Sequence, residues 1–337
     1  MFRWPLLLLC ALLAMPSAVT AAPLARVLDE ADALAPLRTV IVARDGEVLA
    51  ERGYHGGSPA RPTNIKSASK SVVSALVGIA IQRRLLEGVD QKVAPLLADR
   101  LPATPDPRMA ELTIGHLLSM QAGLQPTSGR QYGRWVAQRD WVRAALAQPF
   151  VDDPGGGMLY STGSTHLLSA ILVRVSGTPT LQLAREWLGP QPGFAIADWE
   201  RDPQGIHLGG NQMAMTPRSL LAFGELYRND GRARDGAQLV PATWIAQSWR
   251  PRTRSIYTGD GYGYGWFIRR IEGRDVRFGW GHGGQMLYIV PALELTVVMT
   301  SDERTGTAGS GHLQALHALM ARIIASQDGA SDIARDG

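Results

Sequence analysis

Strand-like segments occur only near the two ends of this 337-residue chain, and helical patterns fill the region between them. Near the N-terminus, two β-prone runs at 39–43 and 47–50 flank Asp45-Gly46, a dipeptide that favours a hairpin turn. Near the C-terminus, further β-prone runs lie at 265–270, 276–280, 285–290 and 295–300. Because strands are stable only when paired, this distribution predicts an α+β fold in which both ends of the chain build one antiparallel sheet.

The middle of the chain has the pattern of an inserted all-helical lobe. Helical patterns near 67–86, 112–120, 165–175 and 217–227 are joined by loops rich in proline and glycine. The first is apolar nearly all round, which predicts a buried helix with its C-cap at Gly88. Helices at the N- and C-terminal ends, the latter at 312–325, are expected to flank the sheet.

These patterns predict one catalytic domain that has two lobes. The predicted divisions are a domain at 22–326, its sheet lobe at 35–60 and 260–326, its helical lobe at 64–250, and a loose polar tail at 327–337. A functional site is expected in the cleft between the lobes, because such junctions commonly hold ligands.

The first 21 residues have the features of a secretory signal peptide. Arg3 supplies a positive charge, residues 6–14 are apolar, and small residues occur at 19–21. The sequence therefore predicts export, with a periplasmic location and no membrane attachment after cleavage. The single cysteine, Cys10, lies inside this segment, so the mature chain would have no disulfide. The alternatives are a buried first helix and a lipid-modified Cys10.

Composition argues against several classes of partner. Charged residues make up 19% of the chain, the formal net charge is +4, and the arginines are scattered instead of forming a basic stripe. Nucleic acid is therefore not an expected partner. The seven histidines lack metal-ligand spacing, and no glycine-rich nucleotide loop has the required strand–helix context. We expect no metal and no cofactor.

Ser67-Ala-Ser-Lys70 gives the strongest chemical signal in the chain. Residues three apart share a helix face, so a neutral Lys70 amine could take the proton of Ser67 during attack on a carbonyl. The chain has only three lysines among 34 basic residues, and two of them are Lys66 and Lys70. Lysine, unlike arginine, can lose its proton when buried. The competing interpretation is a helix-capping serine beside an exposed lysine.

Two further motifs follow in order along the chain. Tyr160-Ser-Thr162 opens a helical segment, and His282-Gly-Gly-Gln285 leads into an apolar strand. Ser-x-x-Lys, then a tyrosine motif, then a late strand motif is the layout of serine β-lactamases and penicillin-binding proteins. From about residue 35 to 325 the chain resembles the class C-like branch, which includes esterases, D-aminopeptidases and 6-aminohexanoate-dimer hydrolases. Supporting segments lie at 112–124, 217–227 and 281–291.

The resemblance implies a β-lactamase/transpeptidase-like fold and a role for each motif. Ser67 would be the nucleophile and Lys70 its base, with Tyr160 as second general acid/base, expected as a tyrosinate because the neighbouring Lys70 cation would lower the phenol's pKa. The backbone N–H groups of Ser67 and Gln285 would form the oxyanion hole. Substrate binding would involve Thr162 and His282, and Gly283 and Gly284 would let substrate approach the strand edge.

Two departures from the family pattern bear on the substrate. His282 stands where the family has the lysine of Lys-Thr-Gly, and Thr162 stands where it has the asparagine of Tyr-x-Asn. The resemblance therefore implies a serine hydrolase that cleaves a small ester or linear amide through an acyl-enzyme. The alternatives are β-lactamase, D-aminopeptidase or D,D-peptidase activity on cell-wall-like substrates, and a catalytically silent binding or scaffold protein with this fold.

Overall fold

An eight-stranded antiparallel sheet joins the two ends of the chain. The computed structural model describes residues 22–304 and 311–333; the predicted signal segment at 1–21 lies outside these residues. The strands of the whole structure are Leu37–Arg44 (β1), Glu47–Gly53 (β2), Thr63–Asn64 (β3), Asp198–Trp199 (β4), Met213–Met215 (β5), Thr253–Arg254 (β6), Gly261–Tyr262 (β7), Phe267–Ile271 (β8), Arg274–Gly281 (β9), Gln285–Val290 (β10) and Leu295–Ser301 (β11).

The large sheet has the strand order β2-β1-β11-β10-β9-β8-β7-β6. Strand β1 pairs antiparallel with β11, which places Val40 opposite Met299 and Ile41 opposite Val298. The predicted antiparallel sheet from both chain ends is therefore confirmed. Register is well defined here because a slip of one residue would exchange the two buried faces of β1.

Helices cover both faces of this sheet. The α-helices of the described residues, including those of the inserted lobe, are Leu24–Glu30 (α1), Ser69–Gln82 (α2), Val93–Leu96 (α3), Ile114–Leu118 (α4), Tyr132–Val136 (α5), Trp141–Leu146 (α6), Thr162–Ser176 (α7), Thr180–Trp187 (α8), Pro217–Arg228 (α9), Ala242–Ser248 (α10) and His312–Ile333 (α11). Side chains alternate along β1, so Val40 and Val42 pack with α1 and α11, whereas Ile41 and Ala43 pack toward α2 and α9.

Helix α2 is the centre of the second layer. All of its residues from Ser69 to Ala80 are buried, as its apolar pattern predicts. The helix ends at Gln82, with Arg83 as its C-cap, so the predicted cap at Gly88 is wrong. Two residues after the end of the helix, Arg84 takes the left-handed conformation (φ +58°). A left-handed residue is most often glycine, but arginine accepts this conformation here at a steric cost.

The inserted lobe is not all-helical. Strands β3, β4 and β5 form a three-stranded sheet in the order β3-β5-β4, with Asn64 opposite Ala214 and Asp198 opposite Ala214 on the other side. Strands of two or three residues are too short to show an alternating sequence pattern, so this sheet was not predictable from periodicity. The last helix, α11, also runs to Ile333, past residue 326 where the sequence predicted a loose tail.

Within 22–304 and 311–333, no single helix combines the length and hydropathy of a membrane span. Helices α7 and α8 pass that test only when taken together, across a bend of 76°.

Candidate active site

The turn that carries Ser67 packs between the sheet lobe and the inserted lobe. Lys66–Ala68 form a single 3-10 turn before α2, and Lys66 takes the left-handed conformation, with φ +51°. On the facing strand β9, a Cβ atom at Gly281 would lie 2.2 Å from the Ile65 carbonyl oxygen. Glycine at 281 therefore permits the close approach that brings the turn of Ser67 against the C-terminal end of β9, at the junction with β3 and β5.

Ser67, Lys70 and Tyr160 meet at this point. Lys70 Nζ lies 3.2 Å from Ser67 Oγ, and the Tyr160 phenol is near enough to the Ser67 side chain for this serine to lower the phenol's pKa. Lys70 Nζ also lies 5.0 Å from the centroid of the Tyr160 ring. The serine hydroxyl thus has a nitrogen base on one side and a phenol on the other, which is the geometry needed to activate a nucleophile.

Burial makes Lys70 a potential base. The side chain has no charged partner in the described structure, and desolvation lowers the pKa of Lys70 from 10.5 to about 7. Its Nζ donates to the Gly210 carbonyl oxygen at 2.7 Å and lies 3.5 Å from Thr162 Oγ1. A neutral amine that donates its two N–H groups to those oxygens would keep its lone pair for the third contact, the one with Ser67 Oγ.

Tyr160 stays a neutral phenol, contrary to the tyrosinate that the sequence analysis expected. Desolvation raises the pKa of Tyr160 to about 12, and its hydrogen bond with Ser67 only partly offsets this. The ring stacks on Phe267 at 6.1 Å and meets Tyr262 edge-on, so aromatic neighbours replace water around it. Near neutral pH, the phenol can therefore donate or relay a proton, while the accepting group is Lys70.

A buried histidine–aspartate pair lies behind the Lys70 contact. His166 Nε2 lies 3.1 Å from Asp202 Oδ2, and the Gly209 N–H donates to His166 Nδ1 at 3.3 Å. Nδ1 is thus the acceptor, and Nε2 carries the proton donated to Asp202. His166 fixes Gly209, and the next residue, Gly210, provides the carbonyl that holds Lys70. Sequence reasoning missed this network, although Gly209-Gly210-Asn211 in a polar loop was a visible signal.

Thr162 lies between Lys70 and Ser128. Its Oγ1 lies 2.9 Å from Ser128 Oγ, and its backbone N–H donates to Ser128 Oγ at 2.8 Å. Ser128 also lines the cleft and was not predicted. Thr162 therefore belongs to the hydrogen-bond group around Lys70, besides facing the substrate space.

The late-strand motif lies at the β9–β10 turn. His282 lines the cleft, and its role in substrate binding stays a prediction. Gly283 and Gly284 have φ of +84° and +95°, and a Cβ at Gly284 would lie 2.8 Å from Ser301 Oγ. These glycines are thus required by the turn and by its packing, and the approach of substrate at this position stays a prediction.

Gln285 is fully buried at the start of β10, opposite Gly281 in the register. Its side-chain amide donates to the Ser301 carbonyl oxygen at 2.8 Å, which anchors the strand and leaves the side chain turned away from the cleft. A contribution of residue 285 to an oxyanion hole would therefore come from the backbone. The turn carrying Ser67 packs against both β9 and β10, so the two N–H groups predicted for that hole lie on neighbouring elements.

The space in front of Ser67 is a cleft of about 480 Å³, a volume typical of a small-molecule site. Its walls are formed by both lobes, as predicted. The lining residues are Lys66, Ser67, Ser128, Gly129, Tyr132, Met158, Tyr160, Thr162, Asn211, Gln212, Ser255, Tyr257, Phe267, Trp280 and His282. Sequence analysis found the polar motifs, but not the aromatic wall, because scattered aromatic residues have no spacing that distinguishes a cleft from a core.

This arrangement defines a class: an antiparallel sheet with an inserted lobe, and a serine and lysine one helical turn apart at their junction, as in serine β-lactamases and penicillin-binding proteins. A family model described as Beta-lactamase matches residues 25–320, and the chain belongs to that family, a family of hydrolases.

Solved structures share the fold at low sequence identity. A provisionally named 6-aminohexanoate-dimer hydrolase from Bacillus anthracis is 20% identical, with a TM-score of 0.72 over 91% of this chain and 82% of the other. A penicillin-binding protein homologue from Caulobacter crescentus is 17% identical, with a TM-score of 0.71 over 90% and 96%. EstCE1, a hydrolase with promiscuous acyltransferase activity, is 18% identical, with a TM-score of 0.68 over 89% and 97%.

One curated relative matches a shorter region. A provisionally named fimbrial assembly protein, FimD of serogroup D from Dichelobacter nodosus, is 31% identical over 144 residues. The match spans 41% of this chain and 36% of the relative, so the chain matches about a third of that protein's length.

Proposed function

We propose that this protein is a serine hydrolase that cleaves small esters or linear amides through an acyl-enzyme, and that it acts after export to the periplasm. The observation that carries the chemistry is Lys70 Nζ at 3.2 Å from Ser67 Oγ, with the ring of Tyr160 centred 5.0 Å from the same amine. The signal-like pattern of residues 1–21 supports export.

In acylation, a bond forms between Ser67 Oγ and the substrate carbonyl carbon. Neutral Lys70 accepts the serine proton, and the negative charge moves to the carbonyl oxygen. The bond from carbon to the leaving oxygen or nitrogen then breaks. The leaving group takes up a proton relayed through Tyr160, so Lys70 returns to its neutral state as alcohol or amine departs.

Deacylation repeats these steps with water in place of Ser67. A water molecule transfers one proton toward Tyr160 and Lys70 as its oxygen bonds to the acyl carbon. The ester bond to Ser67 Oγ breaks, the serine regains its proton, and a carboxylic acid leaves. No metal or cofactor is needed for these proton and acyl transfers.

Two residues that differ from the family motifs, Thr162 and His282, favour ester and linear amide substrates. Thr162 stands where the family motif has asparagine. Its hydroxyl contacts Lys70 Nζ and Ser128 Oγ, so it already has partners within the group of residues that transfers protons. His282 stands where the family has the lysine that holds a substrate carboxylate, so this position lacks the permanent cation that a carboxylate substrate would require.

Substrate profiling tests the proposal. Purified protein would be offered p-nitrophenyl esters, nitrocefin, D-amino-acid amides and aminohexanoate oligomers, with Ser67→Ala as the control. We expect turnover of an ester or linear amide that Ser67→Ala lowers by about a thousandfold. Nitrocefin or D-amino-acid amide turnover that exceeds ester turnover would reject the substrate assignment. Equal rates in Ser67→Ala would reject the serine hydrolase itself.

A further inference from the structure

The mouth of the cleft carries two large apolar side chains in solvent. Ile256 is 75% exposed and Tyr257 is 82% exposed, at the tip of the loop between β6 and β7. Tyr257 is also part of the cleft lining. Single exposed apolar residues are ordinary on protein surfaces, but an adjacent exposed pair at the rim of a ligand site indicates that a bound apolar group covers it.

The loop is anchored at its base, so its tip has a defined place. The Gly259 N–H donates to the Ser255 carbonyl oxygen at 2.9 Å, and the Ser255 N–H donates to the Asp260 carbonyl oxygen at 2.8 Å. Arg269 in turn donates to the Asp260 carboxylate at 2.7 Å. The exposed pair is therefore held beside the cleft by polar contacts that leave both apolar side chains without a protein covering.

An aromatic wall continues from this tip into the cleft. Phe267 stacks on Tyr160 and lies 5.6 Å from the ring of Trp280, and all three rings line the space in front of Ser67. Tyr257 extends the same lining outward to solvent. One side of the cleft thus offers apolar surface from the nucleophile to the rim.

The cleft has little net charge with which to hold an ionic substrate. Among the described lining residues, only Lys66 and His282 can be cationic besides the buried site itself, and none is a carboxylate. Lys66 Nζ already pairs with Glu303 at 2.9 Å and donates to Gln212 Oε1 at 3.2 Å. A neutral substrate fits this environment better than one whose binding depends on its own charge.

We infer that the β6–β7 loop tip is an apolar subsite, and that the preferred substrates are neutral esters or amides with a long aliphatic or aromatic group lying against Ile256 and Tyr257. This inference rests on the proposed function. The occupant is the substrate's own apolar group, since Tyr257 is part of the lining of the cleft that holds Ser67 and Ile256 is its neighbour in the chain.

The test compares chain-length preference in two double variants. Ile256→Thr/Tyr257→Thr removes the apolar tip, and Val48→Thr/Leu49→Thr removes an exposed apolar pair on β2, at the opposite edge of the sheet. The ratio of kcat/KM for octanoate over acetate p-nitrophenyl esters would be measured, and likewise the ratio for octyl over ethyl acetate. Both series are needed because the apolar group can lie on either side of the reacting carbonyl.

We expect the loop variant to lose about tenfold in one of the two ratios, because the long-chain substrate loses more contact than the short-chain one, and we expect the β2 variant to match wild type. Unchanged ratios in both series would overturn the subsite. A rate increase that appears only above the critical micelle concentration of the long-chain ester would also overturn it, in favour of a lipid surface.

A binding measurement separates this inference from the proposed function. N-octylacetamide would be titrated calorimetrically into Ser67→Ala, with and without each double variant. About tenfold weaker binding in the loop variant alone supports the subsite even if no ester is turned over. Equal affinity in all three proteins would reject the subsite while leaving the hydrolase intact.

Discussion

The Gly210 carbonyl oxygen accepts a 2.7 Å hydrogen bond from Lys70 Nζ, and this contact joins the proposed base to a buried histidine–aspartate pair. Gly210 takes φ +80°, and a Cβ there would lie 2.7 Å from Lys70 Cγ. The backbone at 210 can therefore approach the lysine only as glycine. The position of the base thus depends on a loop from the inserted lobe as well as on α2.

The acid limb of the pH–rate profile should report Lys70. The base is neutral only above its pKa of about 7, so kcat/KM for a p-nitrophenyl ester should rise about tenfold per pH unit below 7 and level off above it. Tyr160→Phe should lower the plateau by about a hundredfold without moving the limb. A limb that persists unchanged in Lys70→Ala would contradict the assignment of the base.

Lys70 should also make stability depend on pH. Between about pH 7 and 10.5 the unfolded chain holds a proton on this amine and the folded chain does not, so the free energy of unfolding gains with rising pH. The free energy of unfolding of wild type minus that of Lys70→Met should therefore increase by about 1.4 kcal/mol per pH unit in this window. Urea unfolding of both proteins at pH 7.5 and 9 gives the measurement; parallel stabilities would refute the lowered pKa.

His166 should act on the base through Gly209 and Gly210. His166→Leu removes the acceptor of the Gly209 N–H, and the loosened loop should let water reach Lys70. We expect kcat to fall about tenfold and the acid limb to move upward by about one pH unit, because less desolvation raises the pKa of the amine. His166→Asn, which restores an acceptor near Nδ1, should recover part of both effects. A loss of stability with the limb unmoved would leave His166 a purely structural residue.

Gly281→Ala should disturb the turn that carries Ser67. The new Cβ would meet the Ile65 carbonyl oxygen at 2.2 Å, so β9 and the turn must separate, at a cost of about 1–3 kcal/mol. We expect a lower Tm and a loss of ester turnover. Gly133→Ala is the matched control, since nothing lies within 4 Å of its added Cβ and its φ is not in the left-handed region. Wild-type activity in Gly281→Ala would show that this approach does not position Ser67.

Much of the fold and the polar part of the site followed from local patterns. The spacing of Ser67 and Lys70, the loop-to-helix position of Tyr160, and the strand after His282 each depend on neighbours close in sequence. What the sequence could not supply are contacts between distant segments. Three such contacts are the bond from Lys70 to the Gly210 carbonyl, the bond from the Thr162 N–H to Ser128 Oγ, and the 2.2 Å limit between a Cβ at Gly281 and the Ile65 carbonyl. Each joins segments that are far apart in the sequence and meet only in the folded chain.

The predicted ionisation state of Tyr160, a tyrosinate, was wrong for a related reason. The nearby lysine suggested a phenolate, but this inference took Lys70 as a cation. Burial acts on both groups and disfavours both charges, so the pKa of Lys70 falls to about 7 while that of Tyr160 rises to about 12. A sequence shows that two groups are neighbours, but not how far water is excluded from them.

Intact-mass analysis after treatment with a fluorophosphonate tests the central claim most directly. Wild type should gain one adduct that maps to Ser67, Ser67→Ala should gain none, and Lys70→Ala should react at least about a hundredfold more slowly. Absence of an adduct in wild type, or an adduct that persists in Ser67→Ala, would contradict a nucleophilic serine at position 67 activated by the amine of residue 70.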